Sequence, residues 1–315
     1  MLEQAETILS LSDISKSFAG KRAVHNISFQ VKKGQIVGFL GPNGSGKTTT
    51  LRMALGLIDP DMGKVSLFGN PPGERAFGRV GFLPEERGLY RKITAREAIA
   101  YIAQLNGLGR KEAYRRADAM LDRYGLGDAK RKKIKQMSKG MAQKVQLIAA
   151  IAHDPEFLIL DEPFSGLDPV NQKLLEDMVR EIADKGRTIV FSTHVMEHAE
   201  RLCDKIILMS SGKKIFDGNT EKALAAAPQS LTVETKTKGA EYVLRSVSKV
   251  FSNPREYVYK MVLKDGLVQR DVLQACERNK VSLLLFEPEK PSLHEAFVAL
   301  VSQDTPNENS SVRVV

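Results

Sequence analysis

A glycine-rich loop constrains the fold of this chain more than any other feature. The loop reads Gly-Pro-Asn-Gly-Ser-Gly-Lys-Thr over residues 41–48 and follows an apolar run at Ile36–Leu40. This order of strand, loop and helix matches G-x-x-x-x-G-K-[ST], in which backbone N–H groups and a helix N-terminus surround phosphate oxygens. We predict that Lys47 contacts the β- and γ-phosphates of a nucleotide and that Thr48 binds Mg²⁺. The predicted phosphate-binding residues are Gly41, Pro42, Asn43, Gly44, Ser45, Gly46, Lys47, Thr48 and Thr49.

A second feature is an apolar run that ends in two carboxylates. Phe157–Leu160 has the character of a buried strand, and Asp161 and Glu162 follow it directly. Open α/β sheets bind ligands at the carboxyl ends of their strands, so we expect this pair beside the phosphate loop. We predict that Asp161 binds Mg²⁺ and that Glu162 acts as a general base on the attacking water.

Strands and helices alternate along the chain up to about residue 217, which indicates a parallel sheet covered on both faces. We predict an α/β fold of the P-loop NTPase class, with a mixed, mainly parallel sheet, an antiparallel N-terminal β part and a helical arm over about 86–155. The predicted boundaries are 1–225 for this domain, 231–302 for a small α/β C-terminal domain and 303–315 for a disordered tail. In the small domain we expect strands over 231–235, 257–263 and 282–286, and helices over 240–250, 269–279 and 292–302.

Composition excludes several other kinds of site. Two cysteines in 315 residues provide neither a disulfide framework nor a cysteine-rich metal site, and the five histidines lack zinc spacing. The formal charge of +9 favours an acidic partner: a nucleotide, a nucleic acid or an anionic membrane surface. No apolar run approaches the ~18 residues that span a bilayer, and the N-terminus resembles no secretion signal. We therefore expect a soluble, cytoplasmic protein.

The order of the remaining motifs resembles the ATPases of the ATP-binding cassette (ABC) transporter family over about residues 7–217. In this resemblance Phe18 corresponds to the aromatic residue that stacks on adenine; a place in the core is the alternative. His194 corresponds to the switch histidine that contacts the γ-phosphate. Residues 137–141 correspond to the family's signature segment, and residues 165–168 to a short loop after the acidic pair. These two segments supply three further nucleotide-binding residues, Ser138, Gly140 and Asp168.

Three positions depart from the family pattern. Glu85 replaces a glutamine that lies, in the family, near Mg²⁺ and the attacking water, at the junction with the transmembrane partner. Its carboxylate can still bind a hard cation, so we predict metal-binding and catalytic roles for it. Lys139 and Met141 replace a glycine and a glutamine of the signature, and we expect the Lys139 side chain to point to solvent rather than to phosphate. The segments around these positions, residues 83–90 and 138–141, resemble the export branch of the family, which includes sodium-extrusion and drug or antibiotic export ATPases.

The resemblance implies how such a chain acts. Two copies, expected as a homodimer, pack head to tail and hold each ATP, with Mg²⁺, between Lys47 of one chain and Ser138 of the other. Hydrolysis powers export through a separate integral membrane permease, at the cytoplasmic face of the cell membrane. An importer ATPase is the alternative, and a family relative acting on nucleic acid or ribosomes is a third possibility. We expect no nucleic-acid partner. The resemblance implies that the permease, rather than this chain, selects the transported substrate.

One basic run has no place in these motifs. It reads Lys-Arg-Lys-Lys over 130–133, with Lys135 after it. We assign it to a solvated face, as for most runs of like charge. A contact with lipid headgroups or with the permease is the alternative.

Overall fold

The structure is a computed structural model, and it describes residues 6–86, 88–264 and 266–304. The chain divides into two compact units, Met1–Asn219 and Thr220–Val315. The sequence placed the boundary after residue 225. The residues between the two positions include a short helix, Thr220–Leu224, which packs against the last helix of the second unit.

Three antiparallel strands form the N-terminal sheet of the first unit: β1 (Thr7–Phe18), β2 (Lys21–Lys32) and β4 (Met62–Leu67). β1 lies in the middle, between β2 and β4. Buried apolar side chains of this sheet share one core with Phe39, Leu51 and Phe157. The N-terminal sheet therefore packs directly on the elements that flank the phosphate loop.

Six strands form the main sheet: β3 (Ile36–Leu40), β5 (Val80–Leu83), β6 (Phe157–Asp161), β7 (Thr188–Thr193), β8 (Lys205–Ser210) and β9 (Lys213–Gly218). Their order is β5-β6-β7-β3-β8-β9, with β9 antiparallel to β8 and the other five parallel. β3, β6 and β7 are buried along their whole length, as expected for parallel strands covered on both faces. Because these three are neighbours, their carboxyl ends meet at one edge of the sheet.

Four helices flank the main sheet: α1 (Lys47–Ala54), α2 (Glu74–Phe77), α6 (Pro169–Asp184) and α7 (Met196–Leu202). The helical arm contains three more: α3 (Ala95–Leu105), α4 (Arg110–Arg123) and α5 (Lys139–Ile151). The arm helices meet through small buried residues, which allow close approach, among them Ala98, Ala103, Ala113 and Ala117. The helical pattern of the sequence over 94–124 is interrupted at Gly107, whose φ of 97° ends α3 as a left-handed cap.

The second unit contains α8 (Thr220–Leu224), β10 (Ser230–Glu234), α9 (Ala240–Val247), β11 (Ser248–Arg255), β12 (Val258–Leu263), α10 (Gln269–Arg278), β13 (Leu285–Pro288) and α11 (Leu293–Asp304). Its four strands form an antiparallel sheet in the order β11-β12-β10-β13. Its core combines side chains of this sheet with those of α9 and α10, including Leu231, Leu244, Met261 and Val272.

Two details of the second unit differ from the sequence prediction. The helix expected over 240–250 ends at Val247, and an edge strand follows it, because Phe251 pairs with β12 and stacks on Tyr259 at 5.6 Å between ring centroids. Cross-strand pairing here overrides the local helical pattern. The strand expected over 282–286 lies at Leu285–Pro288. The predicted tail begins inside α11, and its residues 305–315 lie outside the described residues.

The predicted fold class is confirmed, including the mixed, mainly parallel sheet, the antiparallel N-terminal sheet and the small C-terminal sheet. Four elements of the first unit were not predicted, namely β4, α2, β5 and β9. In the part of the chain that the structure describes, no helix combines the length and apolarity needed to cross a bilayer.

Candidate functional site

The phosphate loop, residues 41–46, links β3 to α1 along a path that requires glycine. Gly44 and Gly46 have φ angles of 77° and 99°, in the left-handed region that glycine adopts without strain. A Cβ at Gly46 would also lie 2.6 Å from the carbonyl oxygen of Ala23. The loop therefore depends on glycine here both for its conformation and for its packing on β2.

Lys47, the first residue of α1, is fixed at the centre of this loop. Its side chain is 5% exposed, and Nζ donates hydrogen bonds to the carbonyl oxygens of Gly41 at 2.7 Å and Pro42 at 3.1 Å. The same Nζ lies 3.6 Å from Oε1 of Glu162. A buried ammonium needs partners of this kind, and together they hold the charge beside the loop amides.

Glu162 brings its carboxylate between Lys47 and His194. It is 6% exposed, its Oε2 lies 2.9 Å from Nδ1 of His194, and among the described residues no donor hydrogen-bonds to its Oε1. Its φ of 47° lies in the left-handed region, which costs a residue with a side chain roughly 1–3 kcal/mol. The Glu162 N–H donates to Oγ of Ser192 at 2.9 Å, which stabilises the turn.

The contact between Glu162 and His194 also orients the imidazole ring. A carboxylate oxygen accepts hydrogen bonds, so Nδ1 of His194 is the nitrogen that donates to Oε2 of Glu162. Nε2 is then the nitrogen left to meet a ligand, and the side chain is 43% exposed. β7 ends at Thr193, which places His194 at the same sheet edge as the acidic pair.

Asp161 lies beneath Thr48 and is held by a second hydroxyl. Oγ1 of Thr48 donates to Oδ1 of Asp161 at 3.3 Å, and Oγ of Ser192 donates to the same oxygen at 2.5 Å. A hydroxyl and a carboxylate oxygen placed side by side are ligands that suit a hard cation such as Mg²⁺. Ser192 thus contacts the Asp161 carboxylate and the Glu162 backbone. Ser192 is not among the site residues predicted from the sequence.

An open pocket of about 490 Å³ lies in front of the phosphate loop. Phe18 forms part of its wall and is 46% exposed, so its ring is not a core residue. Glu85, just beyond β5, is exposed and lines the same pocket. The predicted residues among its lining are Phe18, Asn43, Gly44, Gly46, Lys47, Thr48, Thr49, Glu85 and Glu162.

Three residues of the pocket were missed by the sequence analysis. Lys21, Arg22 and Ala23 begin β2 and line the pocket. Lys21 pairs across the hairpin with Phe18. The turn after Phe18 was therefore the sequence feature that could have placed Lys21 beside the predicted adenine site. Two cations beside the phosphate loop add to the positive potential that attracts a nucleotide.

Ser138, Gly140 and Asp168 are absent from the lining of this pocket, all three being described residues. Ser138 caps α5, its Oγ accepting from the N–H of Met141 at 3.2 Å. Asp168 caps α6, and the hydrogen bonds donated by Asn171 lower the pKa of its carboxyl. The two helix starts lie in contact, since a Cβ at Gly140 would be 2.6 Å from the Asn171 side chain.

Lys139 follows Ser138 and is exposed. Its Nζ lies so close to Gly166 that a Cβ there would be 1.6 Å away, and Gly166 has a φ of 63°. Lys139 therefore covers the loop that leads to α6, and its cation lies at the surface formed by the signature and that loop.

Fold and site together define a P-loop ATPase: a phosphate loop, an acidic pair and a histidine at the edge of a parallel sheet. A family model described as "ABC transporter" matches residues 24–165. The chain is 36% identical over 302 residues to the uncharacterized ABC transporter ATP-binding protein YhaQ of Bacillus subtilis, covering 93% of this chain and 98% of that protein. The chain belongs to the ABC transporter ATPases.

Two further similarities bear on the branch and the fold. The Nod factor export ATP-binding protein I of Burkholderia lata is 38% identical over 213 residues, 67% of this chain and 70% of that protein. A solved ATP-binding subunit of an ABC transporter shares 31% identity with a TM-score of 0.64, covering 70% of this chain and 92% of that one. The resemblance to the export branch of the family is thereby confirmed.

Proposed function

We propose that this ATP-binding subunit powers export through a separate permease, and that Glu162 is the base of its hydrolytic site. The observation that carries the catalytic assignment is the buried carboxylate between Lys47 and His194, with Oε1 accepting no hydrogen bond among the described residues. That oxygen is free to take the proton of the attacking water. Lys47 and the loop amides bind the β- and γ-phosphates, and Nε2 of His194 donates to the γ-phosphate when the ring is protonated.

Phe18, Thr48, Asp161 and Glu85 complete the assignment. The ring of Phe18 stacks on adenine at the pocket wall. Thr48, Asp161 and Glu85 would hold Mg²⁺, which would supply positive charge next to the phosphates. Water attacks the γ-phosphorus in line with the leaving oxygen, its proton passes to Glu162, and ADP and phosphate are the products.

We propose further that Ser138, Gly140 and Asp168 reach ATP only across a homodimer. Ser138 and Asp168 are exposed at the starts of α5 and α6, Gly140 lies buried next to the Asn171 side chain, and none of the three lines the pocket of its own chain. The start of α5 offers backbone N–H groups, the Ser138 hydroxyl and the Lys139 cation to an anion. A head-to-tail dimer with two-fold symmetry would complete two such sites at once.

Complementation between two inactive chains tests this composite site. Ser138→Asp keeps a side chain that caps α5 well but sets a carboxylate opposite the γ-phosphate, so we expect loss of ATPase activity. Glu162→Gln inactivates the other half-site. Mixing the two variants is expected to restore activity, up to about half of the wild-type rate per chain pair. The reason is that one mixed site joins Glu162 of one chain to Ser138 of the other.

Ser138→Thr is the matched control and is expected to remain active, since it keeps both the hydroxyl and the cap. Absence of recovery at every mixing ratio, with both variants folded and the control active, would contradict the shared site. ATPase rates of co-purified pairs, one chain carrying a tag, measure the mixed species directly.

ABC ATPase subunits work with membrane permease components, and we propose an apolar groove of the first unit as the docking place for the permease. The groove measures about 260 Å³ and lies between the end of α1, α2, β5 and α3. Three of its side chains are largely exposed: Leu57 at 54%, Phe77 at 42% and Leu105 at 64%. Phe82 lines the groove and Glu85 lines the nucleotide pocket, so one short segment joins both.

A charged side chain in this groove should prevent the chain from binding the permease. We expect Leu105→Glu to abolish co-purification with the permease, because docking would bury the added carboxylate without a partner. The ATPase rate of the isolated chain should stay unchanged. Met62→Glu, at 69% exposure on β4, is the matched control and should keep the complex. Retention of the permease by the Leu105 variant would show that the groove is not the interface.

Export is the direction favoured by the similarity to a Nod factor export ATPase. An importer role for this chain is the alternative, and transport of a radiolabelled substrate in oriented vesicles distinguishes them once the permease is identified. In either case the permease contact would hold the chain at the cytoplasmic face of the membrane.

A further inference from the structure

The basic run at residues 130–135 lies beside a second basic segment, an arrangement that the sequence does not reveal. Four backbone hydrogen bonds join the run to residues 91–96. The N–H groups of Ala95 and Arg96 donate to the carbonyls of Lys132 and Lys130, at 3.1 and 3.2 Å. In the other direction the N–H groups of Ile134 and Lys135 donate to the carbonyls of Ile93 and Arg91, both at 3.0 Å. We call the cationic residues of these two segments the basic strip: Arg91, Lys92, Arg96, Lys130, Arg131, Lys132, Lys133 and Lys135.

Most cations of the basic strip form no ion pair within the described residues. Arg96 pairs with Asp118 at 2.7 Å and Lys130 with Asp122 at 2.6 Å. The remaining six cations are exposed, and none of them forms an ion pair within the described residues. Glu97 lies close to the strip, and hydrogen bonds from the N–H and hydroxyl of Thr94, both at 2.8 Å, together with a smaller contribution from the charge of Lys133, lower the pKa of its carboxyl. The strip is therefore a surface of net positive charge.

A polar hollow opens between the basic strip and the first turn of α4. Its volume is about 730 Å³, and its wall contains the cations Arg96, Arg110, Lys130 and Arg131 together with the carboxylates of Glu97 and Asp118. Arg96 and Lys130 are paired with Asp118 and Asp122, so Arg110 and Arg131 against Glu97 leave the hollow positive. A space of this size, open to solvent and lined by guanidinium groups, fits a phosphate-bearing headgroup.

Two exposed aromatic rings stand next to the strip. Tyr90 precedes Arg91 in sequence, and it is 69% exposed. Its ring lies 6.4 Å from that of Tyr101 on α3, which is 46% exposed, in an edge-to-face arrangement. Tyrosine rings beside basic residues are typical of surfaces that lie at the headgroup level of a bilayer.

We propose that the basic strip binds the headgroups of anionic phospholipids, so that the chain contacts the membrane surface directly. Lipid is favoured over other acidic partners because members of this family work with membrane permeases, which keep them next to a bilayer. Six exposed cations on two joined segments match the polybasic surfaces that bind anionic leaflets. The proposal does not depend on the hydrolytic roles assigned above, since neither nucleotide nor permease takes part.

Vesicle flotation with the full chain tests it. One set of vesicles is pure phosphatidylcholine and the other an equimolar mixture with phosphatidylserine, both without permease. We expect binding to the mixed vesicles alone, weakening as salt is raised. The variant Arg131→Gln/Lys132→Gln/Lys133→Gln should bind on the order of 100-fold more weakly, because each cation near an anionic surface contributes about a fivefold factor.

The matched control is Lys236→Gln/Lys238→Gln/Lys290→Gln, three exposed lysines of the second unit. It lowers the formal charge from +9 by the same three units, to +6, and should bind like the wild type. Lys132→Arg/Lys133→Arg keeps the charge and should also bind normally. Equal binding to both kinds of vesicle, equal loss in the control, or capture of duplex RNA without binding to phosphatidylserine would each overturn the proposal.

Discussion

Replacing Glu162 by glutamine is expected to slow ATP hydrolysis by about 10²–10⁴-fold, the usual effect of losing a general base. Glutamine keeps the shape of the side chain, and its carbonyl oxygen can still accept from Nδ1 of His194. The two carbonyl partners of Lys47, at Gly41 and Pro42, are also untouched. The loss should therefore appear in kcat with the fold intact, and steady-state phosphate release measures it.

Glu176→Gln provides an unusually close control. Glu176 is also a buried glutamate, 4% exposed, with the Nδ1 of a histidine, His198, at 2.7 Å. It lies on α6, away from the nucleotide pocket. Its replacement should lower stability, because Arg201 also pairs with it at 2.7 Å, but should leave the rate per folded molecule near the wild-type value. A wild-type rate in the Glu162 variant would make Glu85 the next candidate for the base.

The same Glu162 variant should form a dimer with ATP but not with ADP. Hydrolysis no longer removes the γ-phosphate, and one negative charge beside the triphosphate is gone. Light scattering with each nucleotide measures the mass. A variant that binds ATP, hydrolyses none and stays monomeric would contradict closure by nucleotide alone. Lys139 and Met141, which depart from the family signature, would then be the first positions to change to the family's glycine and glutamine.

The site could be predicted from the sequence where consecutive residues carry the chemistry. The phosphate loop and the Asp161–Glu162 pair each follow an apolar strand, and parallel strands deliver their ends to one edge. The contributions of Ser192 and Lys21 could not be predicted in the same way. They depend on β6, β7 and β3 being neighbours and on the hairpin returning to the pocket, and strand order is a property of the whole fold.

In the second unit and the arm, the sequence did not predict which distant segments pair with each other. Residues 248–250 were expected to end a helix, and their pairing with β12 makes them the start of a strand instead. The basic run at 130–135 looked like an ordinary solvated face. The neighbouring segment, residues 91–96, is far away in sequence and is held alongside by backbone hydrogen bonds. Such bonds do not depend on the side chains, so the residue types do not indicate them.

Replacing Lys47 by alanine is expected to abolish ATP binding and also to lower the free energy of unfolding by about 3 kcal/mol. The second effect follows from burial: Glu162, 6% exposed, would keep its carboxylate without the ammonium at 3.6 Å. Removing one partner of a buried ion pair costs about 3–5 kcal/mol, and His194 on the other carboxylate oxygen should keep the loss at the lower end. Urea unfolding without nucleotide measures this difference.

The double variant Lys47→Ala/Glu162→Gln separates the two roles of Lys47. A neutral amide needs no counter-charge, so we expect stability to return to within about 1 kcal/mol of the wild type. ATP binding should remain lost, because the phosphates still lack the cation at the loop centre, and ATP should no longer raise the melting temperature as it does in the wild type. If the double variant stayed as unstable as Lys47→Ala, the stabilising contacts of Lys47 would be those to the Gly41 and Pro42 carbonyls. If it regained ATP binding, the ammonium would serve the carboxylate rather than the nucleotide. The pair of measurements thus assigns the charge of Lys47 to the fold, to the ligand, or to both.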